Sequence, residues 1–401
     1  MAIDLINDTD TPEQVHWHGQ FLPDTVDGSA EEGTPYVPAR GKRMISFIPG
    51  PPGTRFVHTH VRAGNNLNRG TYSGQDAIVY IEAEEEKEKE DYDREEFLML
   101  KEFEPFFTNF GEEEEEEGDG DHEENGNGKP NGLEVGYRSF CINGKTMQAS
   151  KPIKVQSGER VLFHFINASA TENRKIALPG HRFKVVALDG NPVPNPTEVE
   201  VLELGVAERI DAIVEMNNPG KWLLGVLIDE DRNGGMARVI EYANQKGDPV
   251  WKKPAKSDWA YTLFGENKPV AEPDEVIQMK FAKINGGRND FNIWTINGKT
   301  YEQSTPGLLR FGKRYRLSFY NDTDDAHPLH LHRHSFELTL VDGKKTSGIM
   351  KDVVMIGPYS KLEVDFIADH PGNTLFHCHQ QLHMDFGFMY LFQYASTNGL
   401  N

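Results

Sequence analysis

Ten of the fifteen histidines in this 401-residue chain are gathered into four short clusters, two near its start and two near its end. They are His16-Trp17-His18-Gly19, His58-Thr59-His60, His327-Pro328-Leu329-His330-Leu331-His332, and His377-Cys378-His379 with His383 four residues on. Residues i and i+2 of a strand project from the same face, so each His-x-His offers two nitrogens to one place. The pairs come from opposite ends of the chain, so any site they share requires an early strand to meet a late one. Imidazoles with one thiolate are a donor set that suits copper.

The rest of the sequence reads as strands and turns. There are 38 Gly and 23 Pro among many short apolar runs, a pattern of β-structure rather than of long helices. The length allows two to three domains. Residues 1–81 carry the first two clusters. Residues 82–132 are charged and Gly-rich, an acidic, partly disordered insert that includes six successive glutamates and His122. Within it, Phe97-Leu98-Met99-Leu100 is apolar enough to pair as a strand. Residues 133–247 form a second unit, where His164 and His181 stand alone as structural histidines. Residues 248–401 form a third, with the last two clusters. The phrase Ile142-Asn143-Gly144-Lys145 returns as Ile296-Asn297-Gly298-Lys299, and each is followed by a Gly-x-Arg turn, 158–160 and 312–314. This is the trace of an internal repeat, and the economical fold is three all-β sandwiches in a row.

The net charge of −21 is local, since residues 82–124 hold 22 acidic residues against 4 basic ones. An acidic surface of this kind repels phosphates and argues against nucleic-acid binding. Of the two cysteines, Cys378 lies between histidines as a ligand and Cys141 reads as a small buried strand residue, so no disulfide framework is expected. No apolar run reaches the ~18 residues of a membrane span, and the chain opens without a charged n-region and apolar h-region.

On a strand, Cys378 points to one face and His377 and His379 to the other. One strand can thus serve two metal sites. A thiolate with two imidazoles makes a blue-copper electron-transfer site, and His327 and His383 are the natural partners of Cys378. The eight remaining imidazoles are enough for three more coppers. In order and content the four clusters resemble the signatures of the multicopper oxidases, the family of laccases, ascorbate oxidase, bilirubin oxidase and bacterial cuprous oxidases. The resemblance is close in the first and third units and general in the second. It implies three consecutive cupredoxin-like Greek-key β-sandwiches, with a trinuclear copper site between the first and last. It implies four coppers: type 1 on His327, Cys378 and His383; type 2 on His16 and His330; and a type 3 pair on His18, His58, His60, His332, His377 and His379. A small aromatic reductant, O2 and a periplasmic or secreted location follow by the same analogy. Only about fifteen residues precede His16, so the first sandwich is expected to be short of strands and to leave an open edge.

The axial position of the type 1 site falls on Phe388 in this family's spacing. A phenyl ring cannot coordinate, which favours Cu(I) and raises the potential; a one-residue shift would bring Met389 there instead. Asp24 and Asp27 are the candidate proton-handling carboxylates, with Asp27 the closer match to the family. Many bacterial relatives carry a glutamate in the stretch that reads Gln380-Gln381-Leu382 here, and either glutamine can only orient water; Asp385 is near but reads as outward-facing. His334 reads as a hydrogen-bonding neighbour of the ligands. Oxidation of phenols or aromatic amines coupled to reduction of O2 to water is the implied activity. Bilirubin-type oxidation is an alternative; a cuprous oxidase should carry a methionine-rich insert, whereas the eleven methionines are scattered. A nitrite reductase needs fewer histidines, and a copper store or electron carrier needs no trinuclear site.

Overall fold

A computed structural model describes residues 1–83, 92–109 and 132–395. The glutamate run 112–117 and His122, read as a solvated loop, lie outside the described residues. The described chain is nearly all β, and no helix in it is long and apolar enough to cross a membrane.

The third unit packs a sheet built on Glu275–Ile284, Arg314–Asn321 and Lys361–Ile367 against one in which Met389–Tyr394, Asn373–Cys378, His327–Leu331 and Val353–Ile356 are neighbours. Phe281, Leu317, Val364, Phe376 and Leu329 fill the space between them. Strand Arg314–Asn321 alternates half-buried and buried residues, the period-two pattern of a sheet with one face on the core. The second unit repeats this plan. Its five-stranded sheet runs in the order Ile153–Val155, Ala237–Tyr242, Lys221–Val226, Arg174–Ala177, Val201–Leu204. Its six-stranded sheet includes Arg160–Asn167 and Arg94–Phe103, which run parallel.

That last pairing moves the second unit's start. Strand Arg94–Phe103 lies inside the stretch read as an insert, yet Leu98 and Leu100 are buried in the second unit's core, as the apolar patch there allowed. At the other end, Val250 still bonds to Lys221 and Leu223 of the second unit, past residue 247.

The repeated Ile-Asn-Gly-Lys phrases make twin turns. Asn143 and Gly144, like Asn297 and Gly298, have positive φ, the conformation these residues tolerate best. Each asparagine staples the neighbouring strand with both side-chain atoms: Asn143 to Met99 N–H and Phe97 C=O, Asn297 to Lys280 N–H and Gln278 C=O.

The first unit is smaller. Ala2–Asn7 pairs only with Gly41–Ser46, and Val15–His18 with Gly53–Thr59 and then Asp76–Ile81. Trp17, Leu22, Ile45 and Phe47 form its core. Its open outer strands leave Ile6, Met44 and Ile48 exposed.

Candidate metal centre

Two strand pairings assemble the site. In the first unit His16 lies opposite His58 across an antiparallel pair. In the third, His330 lies opposite His377, and Leu329 opposite Cys378. The two units then meet ring on ring: His16 stacks on His332 with centroids 4.1 Å apart, and His18 on His330 at 3.9 Å. All eight imidazoles of His16, His18, His58, His60, His330, His332, His377 and His379 close on one buried pocket.

The outer nitrogens of six of these rings are tied down, and this sets what their inner ones present. The Nδ1 of His16, His58, His330 and His377 each face a backbone carbonyl, of Asp27, Thr59, Asp352 and Cys378, at 2.7–2.9 Å. A carbonyl oxygen only accepts, so these nitrogens carry the proton and each Nε2 turns a lone pair inward. His332 donates from Nδ1 to Asp27 Oδ2 at 2.8 Å, and His18 is reversed, with Nε2 on Asp352 Oδ1 at 3.1 Å. Lone pairs are thereby pressed together: His332 Nε2 lies 3.0 Å from His377 Nε2, and His18 Nδ1 lies 3.3 Å from His58 Nε2. The Nε2 atoms of His16, His60 and His330 are buried without a hydrogen-bond partner. Converging, unprotonated imidazole nitrogens call for cations between them, and the donor set fits copper.

Electrostatics agree. Burial holds His18, His58, His330, His332, His377 and His379 well below the usual histidine range, and their imidazole neighbours add to it. Burial lowers His60 to about 3. These rings are neutral ligands at neutral pH. Asp27 is fully buried; burial works to raise its pKa, but His16 and His332 outweigh it and keep it ionised. Beside it Glu32 is pushed up, by burial first and by Asp27 second, and so retains its proton.

On the other face of the same strand, Cys378 Sγ lies 3.7 Å from His327 Nδ1 and 3.6 Å from His383 Nδ1, and the two nitrogens are 3.2 Å apart. Thr323 Oγ1 passes its proton to Asn321 Oδ1 and so accepts from His327 Nε2 at 2.9 Å. Burial pushes the Cys378 thiol up, so only a bound cation makes it a thiolate at neutral pH. Phe388 packs on His327 with centroids 4.9 Å apart, while Met389 lies on the opposite side among Leu375, Met384 and Leu391. Trp294 covers His383 at 4.0 Å.

Two expectations need correction. Asp24 is not at the cluster: its Oδ2 accepts the Asn373 N–H at 3.0 Å, tying loops together. Asp385 faces inward, because residues 381–385 are a short helix rather than a strand. Its Oδ2 accepts the N–H groups of Ala63 and Gly64, and its Oδ1 accepts from Gln381 Nε2. Gln381 Oε1 in turn accepts from Thr71, so this glutamine clamps the first unit to the third. His334 bonds the His332 carbonyl and the Tyr394 hydroxyl. Glu32 and Asp352 carry no sequence signal: each touches a ring some 300 residues away along the chain, His332 and His18.

Comparisons with known proteins point the same way. Residues 272–398 and residues 115–245 each match a family profile described as multicopper oxidase. The multicopper oxidase MmcO of Mycobacterium tuberculosis is 29% identical over 407 residues, covering 96% of this chain and 77% of that protein. Among solved structures, Fet3p, a multicopper oxidase that functions in iron import, superposes with a TM-score of 0.78 at 17% identity, covering 98% of this chain and 83% of that one. A laccase from Botrytis aclada gives 0.71 at 17% identity, covering 98% and 79%. The chain belongs to the multicopper oxidase family, copper-dependent oxidoreductases of cupredoxin fold that use O2 as electron acceptor.

Proposed function

We propose that this protein oxidises phenols or aromatic amines, one electron at a time, and reduces O2 to water. His327, Cys378 and His383 would hold a type 1 copper; His16 and His330 a type 2 copper; His18, His58, His60, His332, His377 and His379 a type 3 pair. The observation that carries this reading is the buried pocket of eight imidazoles with inward lone pairs, one residue away on each side from Cys378. Held there, copper would supply one-electron redox beside Cys378 and the four-electron reduction of O2 within the imidazole pocket.

The protein's part is positioning and proton handling. Cys378 lies between His377 and His379, and His377 Nδ1 donates to the Cys378 carbonyl at 2.8 Å, so the two sites share one stretch of backbone. Phe388 packs its ring against His327 and offers no donor atom to a copper that would be held there. Asp27 holds two imidazoles from opposite ends of the chain, and Glu32 keeps a proton beside it. Trp294 and Phe388 keep water off the Cys378 site. A periplasmic or secreted location goes with this reading.

A metal-ion substrate is the second reading. Asp324 and Asp325 pair with Lys283, beside the Trp294 ring that covers His383, and carboxylates there favour a cation. Oxygen uptake by the copper-loaded protein decides, with a phenol in one arm and Fe(II) or Cu(I) in the other. About four coppers per chain, an intense thiolate-to-copper band and uptake with the phenol are expected. One copper per chain, or zinc instead, would end the oxidase reading.

A further inference from the structure

The second unit contributes no imidazole to the pocket, yet its Arg209 reaches the pocket's edge. Arg209 is fully buried and grips Asp352 with two nearly parallel bonds, Nη1 to Oδ1 and Nη2 to Oδ2, both 2.6 Å. Arg55 of the first unit adds Nη1 to Oδ2 at 3.2 Å. Asp189 of the second unit accepts the backbone N–H of Asp352 at 3.2 Å and pairs with Lys351 at 3.0 Å. One carboxylate of the third unit is thus fixed by side chains of the other two.

Asp352 spends that rigidity on two histidines. Its backbone carbonyl accepts from His330 Nδ1, and its Oδ1 accepts from His18 Nε2. His18 is the reversed ring, the one that presents Nδ1 inward. It therefore needs an acceptor on its Nε2 side, where no backbone carbonyl is bonded to it. An ionised carboxylate only accepts, so it forces the proton onto Nε2 and the lone pair onto Nδ1. A bidentate guanidinium grip sets the plane of that carboxylate and hence where Oδ1 lies. The chain is shaped around the grip: Gly19, at φ +75°, follows His18, and a Cβ there would come within 2.6 Å of Asp352 Oδ2 and 2.7 Å of Arg209 Nη2.

We propose that Arg209 is a positioning residue for the imidazole pocket, acting through Asp352 to fix the orientation and tautomer of His18. The inference rests on the pocket being the trinuclear copper site proposed above.

The test uses the full chain, loaded with copper, as wild type, Arg209→Lys and Asp352→Asn. Arg209→Lys keeps the charge but cannot make the paired grip. Lys101→Met is the control; Lys101 is another buried tie between units, bonding the carbonyls of Thr71 and Ala168 without touching Asp352. Copper per chain, the thiolate-to-copper band, the type 2 EPR signal, the unfolding midpoint and oxygen uptake are read for each. In both test variants, oxygen uptake should fall about 10–100-fold, with kcat and not the phenol KM affected, as for other partners that orient metal ligands. Because the Asp352 carbonyl also holds His330, the proposed type 2 ligand, the EPR signal should change while the thiolate band is kept. Lys101→Met should lower the midpoint and leave the two copper signals in wild-type proportion. The proposal is overturned if the test variants keep wild-type EPR and uptake, or if they lose the thiolate band in step with the EPR signal as folding weakens. Should Asp352→Asn fail to fold, Arg209→Lys carries the same comparison. A wild-type protein that binds one copper would instead sink the reading beneath the proposal.

Discussion

The second and third units share a scaffold down to single hydrogen bonds, and differ where the copper chemistry would be. In the third, Leu329 pairs with Cys378, Cys378 N–H bonds Phe388 C=O, and Phe388 N–H bonds His383 C=O. In the second, Ile176 pairs with Val226, and Met236 N–H bonds Asp231 C=O. Val226 thus stands where Cys378 does, Met236 where Phe388 does, and Asp231 where His383 does. Arg174, three residues before Leu331's counterpart strand ends, occupies the place of His327. The second unit fills the position of a sulfur and two imidazoles with a methyl-bearing side chain and the buried ion pair of Arg174 with Asp231, which Glu102 also joins. The same sandwich tolerates either a set of neutral donors or a closed charge pair at this spot.

The comparison breaks most sharply at the sulfur. Cys378→Ser should abolish the thiolate band and oxygen uptake altogether while the remaining copper stays bound. Val226→Cys should bring no band, since no imidazole accompanies it; visible spectra of the copper-loaded variants decide. A band from Val226→Cys would mean the two positions are not equivalent. Next comes the charge pair. Arg174→Met leaves Asp231 and Glu102 buried without their cation and should cost about 3–5 kcal/mol in denaturant unfolding of the metal-free protein. His327→Met removes a neutral ring from the matching place and should cost distinctly less there, yet lose the thiolate band. Equal costs would show that His327 is structural.

The pocket's two ends were legible in the sequence because His-x-His is a local pattern: strand geometry alone puts His16 with His18 and His330 with His332 on one face. Phe388 and Met389 were likewise separable by strand alternation. What was not legible depends on register between distant segments. Asp352 and His18 are 334 residues apart, and nothing in Met-Lys-Asp-Val-Val marks the acid as a partner of histidine. The inward turn of Asp385 depends on the short helix Gln381–Asp385, which no local pattern of residues marks. Strand Arg94–Phe103 was legible only in its apolar patch, Phe97-Leu98-Met99-Leu100: six of the residues from Asp91 to Glu104 are acidic, and the sheet it joins depends on its parallel partner Arg160–Asn167.

A third expectation concerns the seam between the two units. Burial, with Asp325 adding to it, pushes Glu134 from its ordinary 4.5 up to about 8. The folded protein then keeps a proton that the unfolded chain has released. Stability is full below about pH 4.5 and falls as pH rises toward 8, by at most about 1.4 kcal/mol per pH unit. Glu134→Gln should flatten that decline; unfolding midpoints across this range measure it, and an unchanged slope would place the titration elsewhere. The smallest effect belongs to the twin turns. Asn143→Gly and Asn297→Gly keep the positive φ and lose the side-chain staples, so each should cost about 1–2 kcal/mol. A large inequality between the two would mean that the repeat is one of outline only.

The crossing of His16 with His332 and of His18 with His330 has a consequence for how the protein matures. Neither end of the chain owns the pocket: before the first and third units dock, each offers only four of the eight rings. Tight capture of copper in the proposed pocket would therefore wait for the last docking event, and loading would report that assembly is complete. A newly made or damaged chain whose ends have not met would exchange these ions freely, so retention of metal serves as a built-in inspection of the finished fold.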